Sequence, residues 1–246
     1  MTNHVLLDNV NHRDLRVRQV YAPGEGYDVN AARVFPAEFV AIQRDCPMFF
    51  VKNSETGNFE AVALLGFDNE ENLFLGNPGW DADFIPLSIQ RQPFLIGMQQ
   101  QEVDGVPSQV PVIHIDLDHP SVGTDEGEPL FLAQGGEAPH LERVASVLKA
   151  IHEGHDQSEE FTRSLVGLEL IESVKIEVEF IDGTKKSLAG LFKINEERLA
   201  GLSGNALEVL NSSGHLQSVY LMLASLSSMS RLIDRKNRQL KRRAGQ

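Results

Sequence analysis

A chain of 246 residues with 41% hydrophobic content is long enough to bury a substantial core. Its single cysteine, Cys46, excludes an intramolecular disulfide and any metal site built on several thiolates. The net charge of -13 conceals a split, because Arg231 to Arg243 holds seven basic residues and one acid; this tail is about +6 and the rest about -19, a body that disfavours nucleic acid and anionic membrane as partners.

Residues 1–34 are polar, with an extended LRVRQVY followed by APGEGYDVN, which is rich in turn formers. The opening MTNHVLLDNVNHRD has no basic run leading into an apolar stretch, so no secretory signal is expected and a cytoplasmic location is. Its cluster His12, Arg13 and Asp14 predicts a solvated loop.

Phe35 to Phe94 holds 9 of the 13 Phe and the only Trp, so most of the large aromatic burial is expected there. Pro36 suits a first helical turn, and Phe35, Phe39, Ile42 and Cys46 recur at spacings of four, three and four, which predicts one buried stripe ended by Pro47. MFFVKN and FEAVALLGF, joined by SETGN, predict a β-hairpin, with a further short strand at NLFL. GNPGWDADFIPLSIQRQPF is punctuated too often by Gly and Pro for a long element and predicts a structured loop with one short helix.

FLIGM and VPVIHIDLD predict two strands around an exposed connection, QQQEVDGVPSQ. A helix is expected from His140, with Leu141, Val144, Ala145, Leu148 and Ile151 on one face and Gly154 as its stop. A second begins at Asp156, where Asp156 and Glu159 match a capping box, and the two should form an antiparallel pair. Val174, Ile176, Val178 and Phe180 alternate with charged residues, which predicts a half-buried strand returning through Asp182-Gly183 into KSLAGLFKI. Short helices capped by Asn195 and Asn205 follow. The last helix runs from His215, with Leu216, Val219, Tyr220, Leu223, Leu226 and Ile233 as its stripe; beyond Ile233 packing should stop and the basic end fray. Four serines interrupt Val219 to Ile233, which is too short for a bilayer of about 30 Å, so no membrane span is expected.

These elements predict an α+β protein with a largely antiparallel sheet, packed helices and a long C-terminal helix. The acidic, Gly-rich stretch from Ser121 to Pro139 divides a β-rich part, residues 1–130, from an α+β part, residues 131–246, within one continuous domain.

Chemistry is sparse. His114 and Asp116, two apart on a strand, share a face and with a distant His from among His140, His152, His155 and His215 would make the facial triad of a non-haem Fe(II) oxygenase. An ordinary strand edge entering the turn Asp118-His119-Pro120 is the simpler explanation of the pair. No nucleophile elbow, Walker loop or dinucleotide fingerprint occurs, and no cofactor is expected. Trp80, flanked by Asp81 and Asp83 and followed by Arg91, is the candidate ligand- or partner-binding site.

FPAEFVAIQRDCPMFFVKN, LLGFDNEENLFL, GWDADFIPLSIQRQPF, GEPLF with its helix and GLFKINEERLAGLSGNALEVLNSSGHL, in that order from about Leu15 to Leu232, resemble the SapC-like bacterial proteins. Where that family has a tyrosine before the proline of the first motif, this chain has Cys46. The family is named for surface-layer proteins and its members are loosely labelled transporters, labels that do not suit a chain in which neither an export signal nor a membrane span is expected. Resemblance to proteins found beside flavin-dependent halogenases and cupin-like oxygenases implies an accessory role in handling a peptide, carbohydrate or aromatic substrate. The expectation is therefore a non-catalytic accessory or binding protein with an unidentified protein or small-molecule partner. A homodimer through the C-terminal helix is compatible with it. An oxygenase using His114 and Asp116, or a structural surface protein, are the alternatives.

Overall fold

A computed structural model describes residues 3–76, 79–103 and 106–245. In chain order the strands and helices begin with β1 (His4–Leu6), β2 (Arg16–Val17) and β3 (Ala31–Arg33), then a 3-10 turn (Pro36–Glu38) running into α1 (Phe39–Ile42). The hairpin β4 (Met48–Lys52) and β5 (Phe59–Leu64) follows, then β6 (Leu75–Gly76), β7 (Gly79–Trp80) and α2 (Leu87–Gln90). Next come β8 (Phe94–Val103), β9 (Val106–Asp116), β10 (Val122–Gly123), β11 (Glu128–Pro129) and α3 (Pro139–Gly167). The chain closes with β12 (Ile171–Glu179), β13 (Lys185–Ile194), α4 (Glu196–Ala200), α5 (Gly204–Ser212), α6 (His215–Ser225) and α7 (Met229–Ala244). The class is α+β, with antiparallel pairing throughout the strand pairs described.

The chain divides into two compact units, each assembled from three stretches: Met1–Tyr27, Gly76–Trp80 and Leu87–Glu153 form one, and Asp28–Leu75, Asp81–Pro86 and Gly154–Gln246 the other. The first unit holds the sheets β1-β9-β8 and β10-β2-β11. Its core gathers Val17, Phe94, Ile115, Leu130, Leu141, Val144 and Leu148. The hairpin β8–β9 stays paired from Phe94↔Ile115 as far as Val103↔Val106, so Gln99, Gln100 and Gln101, expected in an open connection, are ladder residues. Main-chain pairing satisfies the same donors and acceptors whatever the side chains are, and a polar strand facing solvent gives no apolar alternation to read. Asp104 and Gly105 of that connection, and Asn77 and Pro78 of the Trp80 loop, lie outside the described residues.

The second unit is built on a five-stranded sheet in the order β12-β13-β4-β5-β3. Both expected hairpins form, β4 on β5 and β12 on β13. Phe35, Phe39, Ile42 and Cys46 are all buried, as their spacing requires. Phe39 and Phe50 meet the ring of Phe161 at 5.9 and 6.1 Å. Glu38 closes the first turn by accepting from the Phe35 amide at 2.9 Å. The expected strand NLFL shrinks to β6, because Asn72 bends the chain by accepting from the Phe74 amide with its own side chain. α4 is capped by Asn195, whereas α5 is capped by Ser203 and not by Asn205.

α3 is one helix of 29 residues where two were expected. Its buried positions Leu141, Val144, Leu148 and Ile151 continue without a phase break through Gly154, Ser158, Phe161 and Leu165. Gly154 is no stop; it is the place where the Phe35 ring lies against the helix, and a β-carbon there would fall 2.7 Å from Phe35 Cγ. His155 meets the same ring edge-on at 5.3 Å.

The C-terminal helical run is also rotated from its expected face. Val219, Met222, Ser225, Ser228, Leu232 and Lys236 are buried, and Tyr220 is exposed. β13 pairs with β4 only at Leu191↔Val51 and Phe192↔Phe50, so the Met48 amide lies past the end of that ladder. Ser225 Oγ takes its place, accepting from Met48 N at 2.9 Å while donating to the Met222 carbonyl at 2.6 Å. Ser225→Ala is expected to lower the unfolding free energy by about 1–2 kcal/mol, the cost of one buried unpaired donor, read as a shifted urea midpoint.

α7 does not fray beyond Ile233; it continues to Ala244. Lys236 is buried and donates to Glu71 Oε1 at 2.5 Å and Asp68 Oδ2 at 2.7 Å, and Lys186 reaches Asp68 Oδ1 at 2.5 Å. Asn237 accepts from the Ile181 amide, and Arg235 lies 4.4 Å from the centre of the Phe74 ring. Packing thus persists past the last apolar run because charges, which an apolar-periodicity argument ignores, meet carboxylates of the LLGFDNEENLFL stretch.

Candidate functional site

Within the first unit a row of aromatic side chains runs from its surface inward. Trp80, on β7, meets Tyr21 edge-on at 6.3 Å, and Tyr21 meets Tyr27 at 4.9 Å. Tyr27 in turn meets the His119 ring edge-on at 5.8 Å. Trp80 and Tyr21 are half-buried, while Tyr27 is buried. Burial raises the phenol pKa of Tyr21, and burial followed by the neighbouring Tyr21 and Glu25 pushes that of Tyr27 up to about 12, so both are neutral O–H groups near pH 7.

The inner end of the row is fixed by hydrogen bonds. His119 Nδ1 lies 2.8 Å from Ser121 Oγ and accepts from the Ser121 amide at 3.2 Å, and its Nε2 lies 3.2 Å from Gln92 Oε1. An amide proton aimed at Nδ1 makes that nitrogen an acceptor, and the carbonyl oxygen of Gln92 requires a donor, so the ring is neutral with its proton on Nε2. Burial lowers the His119 pKa, against the pull of Asp116 and Glu25. A side chain at Gly26 would stand 2.5 Å from His119 Nε2, so the glycine is what lets the Tyr27 segment approach the imidazole. Arg18 clips the segment further, pairing with Glu25 and donating to the Pro120 carbonyl, both at 3.0 Å. Rings held by satisfied partners form a preset apolar surface with polar tips, the usual composition of a recognition site.

The four residues expected from sequence divide between the units. Trp80 stands at the outer end of the aromatic row. Arg91, at the end of α2 in the same unit, donates to the Phe94 carbonyl at 2.8 Å, and burial lowers its pKa without removing its charge. Asp81 belongs to the second unit, where its carboxylate pairs with Arg235 and its carbonyl accepts from the same guanidinium at 2.6 Å. Asp83, also in that unit, pairs with Arg44. Tyr21, Tyr27 and His119 were not expected; an aromatic at each end of the turn-rich YAPGEGY stretch was the one available cue.

His114 and Asp116 do share a face of β9, but each is otherwise engaged. The His114 ring occupies the space above Gly97 that a side chain there would need. Asp116 accepts from the Asn3 and Asp118 amides at 2.9 and 3.2 Å, with His4 at 3.8 Å. Of the histidines suggested as a third ligand, His140 packs on Phe94, His155 on Phe35 and His215 on Phe161, and His152 is exposed. Among the described residues no three His, Cys, Asp or Glu side chains are arranged to hold a metal ion, and no helix is long and apolar enough to cross a membrane.

The SapC family model matches residues 7–232. The chain belongs to the SapC family. The match takes in both units, every residue of the aromatic row and the carboxylates that receive Lys236, and it ends at Leu232 within α7. No curated protein and no solved structure matches the chain.

Proposed function

We propose that this SapC-family protein is a non-catalytic accessory protein of the cytoplasm that binds a flat apolar or aromatic group of its partner on the Tyr21–Trp80 edge. The observation that carries this reading is the aromatic row itself: two half-exposed rings backed by Tyr27 and a histidine whose hydrogen bonds are already committed. Such a surface supplies area and orientation at low entropic cost, while its neutral, fixed imidazole is poorly suited to move a proton. Arg91, in the same unit, is the cationic group assigned to this reading, whereas Asp81 and Asp83 are committed to Arg235 and Arg44 in the second unit. A partner that is itself a modified peptide, carbohydrate or aromatic metabolite would suit the chemistry of the rings.

Trp80 is the only tryptophan, so its fluorescence reports on this surface directly. A photo-crosslinking residue at Tyr21 should capture the partner in producing cells, and the captured molecule should then quench or shift Trp80 emission on titration. Tyr21→Ala with Trp80→Ala, followed by calorimetry, is expected to weaken binding at least about 100-fold, since two central aromatic anchors are removed. Undiminished binding by a folded double variant would remove the site. Turnover of the captured molecule by the purified chain would remove the non-catalytic reading.

A further inference from the structure

A second surface of the first unit is lined by both apolar and cationic groups. It is a groove of about 590 Å3, well within the range of small-ligand sites. β2 forms its floor: Val17 faces the core, so Arg16, its neighbour on a two-residue strand, faces the other way. One wall comes from the loop before β2, with Arg13, Asp14 and Leu15, and the other from the turn that follows β11, with Phe131 and the exposed Leu132. That turn is held shut by Leu132 N to Gly136 O and Gly135 N to Leu132 O, at 3.0 and 2.9 Å.

Each arginine is anchored by a single bond to main chain. Arg13 Nη2 donates to the Ala133 carbonyl at 2.6 Å, and Arg16 Nη1 to the Gly127 carbonyl at 2.9 Å. Neither takes part in an ion pair among the described residues, although the protein outside its basic tail is strongly acidic. A guanidinium has five donors, so most of the hydrogen-bonding capacity of both remains for a ligand, in the planar fork that matches a carboxylate. Asp14 offsets one of the two positive charges, which leaves the groove about one unit positive and suited to a monoanion.

We propose that this groove binds an organic carboxylate of single negative charge whose apolar chain or ring lies against Leu15, Phe131 and Leu132. The arginines take the carboxylate and the apolar walls take the body, so neither half alone accounts for recognition. The site is distinct from the Tyr21–Trp80 edge, and its occupancy does not depend on that reading.

Decanoate and 2-naphthoate are the probes, titrated into the full-length protein by calorimetry and by amide NMR. Both are expected to bind, with shifts confined to residues around 13–16 and 127–136. Arg13→Gln with Arg16→Gln should weaken binding by about 10-fold or more, as the loss of charge-assisted hydrogen bonds implies. Decanol and decyltrimethylammonium should bind at least about 10-fold more weakly than decanoate. Arg16→Lys keeps the charge and separates a ligand contact from a fold defect, and Leu132→Ala tests the apolar wall. The proposal is overturned if neither carboxylate binds, if decanol binds as tightly as decanoate, or if the double glutamine variant retains full affinity.

Discussion

Lys236→Ala should lower the unfolding free energy by about 3–5 kcal/mol, the cost of leaving a buried charge without its partner. The ammonium side chain is 7% exposed and that of Glu71 is 10% exposed, so water cannot replace what is lost. Glu71 is also held in place by the Phe67 and Asp68 amides, which donate to its Oε2 at 2.9 and 3.3 Å. Asp68, nearly half exposed and still paired with Lys186, should suffer little. Replacing Lys236 by methionine and Glu71 by glutamine together should recover most of the loss, because no charge is orphaned and the glutamine oxygen still accepts from the Phe67 and Asp68 amides. If Lys236→Ala melts in urea like the parent, α7 is not held by this contact.

The same contact makes a pH prediction. Burial opposes the charge on Lys236, but the hydrogen bonds to Asp68 and Glu71 outweigh it and raise its pKa. Its contribution is therefore full below the unfolded value of about 10.4 and is lost as pH rises through the folded one. Hydrogen bonds from Lys186, then Lys236, lower the pKa of Asp68, whose contribution is present above about 3.9 and fades as pH falls through the depressed value. The stability gap between the parent and Lys236→Ala should thus be flat from about pH 5 to 9 and narrow outside that window on both sides.

Gly154→Val is the second large effect, with an expected loss toward the upper end of about 1–3 kcal/mol for overpacking. Even Gly154→Ala should destabilise. Alanine gains about 1 kcal/mol in helix propensity over glycine, yet its β-carbon would sit 2.7 to 3.0 Å from three carbons of the buried Phe35 side chain, so one of the two must shift. Phe35→Leu in the Gly154→Ala background should restore part of the loss. A double-mutant cycle should give a coupling of about 1 kcal/mol or more. A stabilised Gly154→Ala would mean that the ring does not lie on the helix there.

Much of the second unit was legible in the sequence because its signals are local. Alternation in Val174 to Phe180, the stripe from Phe35 to Cys46 and the Asp182-Gly183 turn each depend on neighbours within a few residues. What escaped depends on distant partners. Gly154 looks like a helix terminator until Phe35 is placed against it, and Lys236 looks like a solvated cation until Asp68 and Glu71 arrive from far up the chain. The candidate site divides the same way. Trp80 stands out as the sole tryptophan in a loop full of Gly and Pro, whereas Tyr21 and Tyr27, from one stretch, and His119, from another, join it only through the fold. Asp81 and Asp83 follow Trp80 within three residues, but they find their arginines elsewhere.

The thiol at Cys46 is buried in the turn between α1 and β4, and desolvation, then the neighbouring Asp45, pushes its pKa up to about 12. Near neutral pH it stays protonated and shielded, so maleimides and iodoacetamides should pass it by. The natural chain is therefore already a background for selective labelling. A cysteine introduced on the groove wall or beside the aromatic edge would carry a spin label or dye alone, with no need to remove the native one.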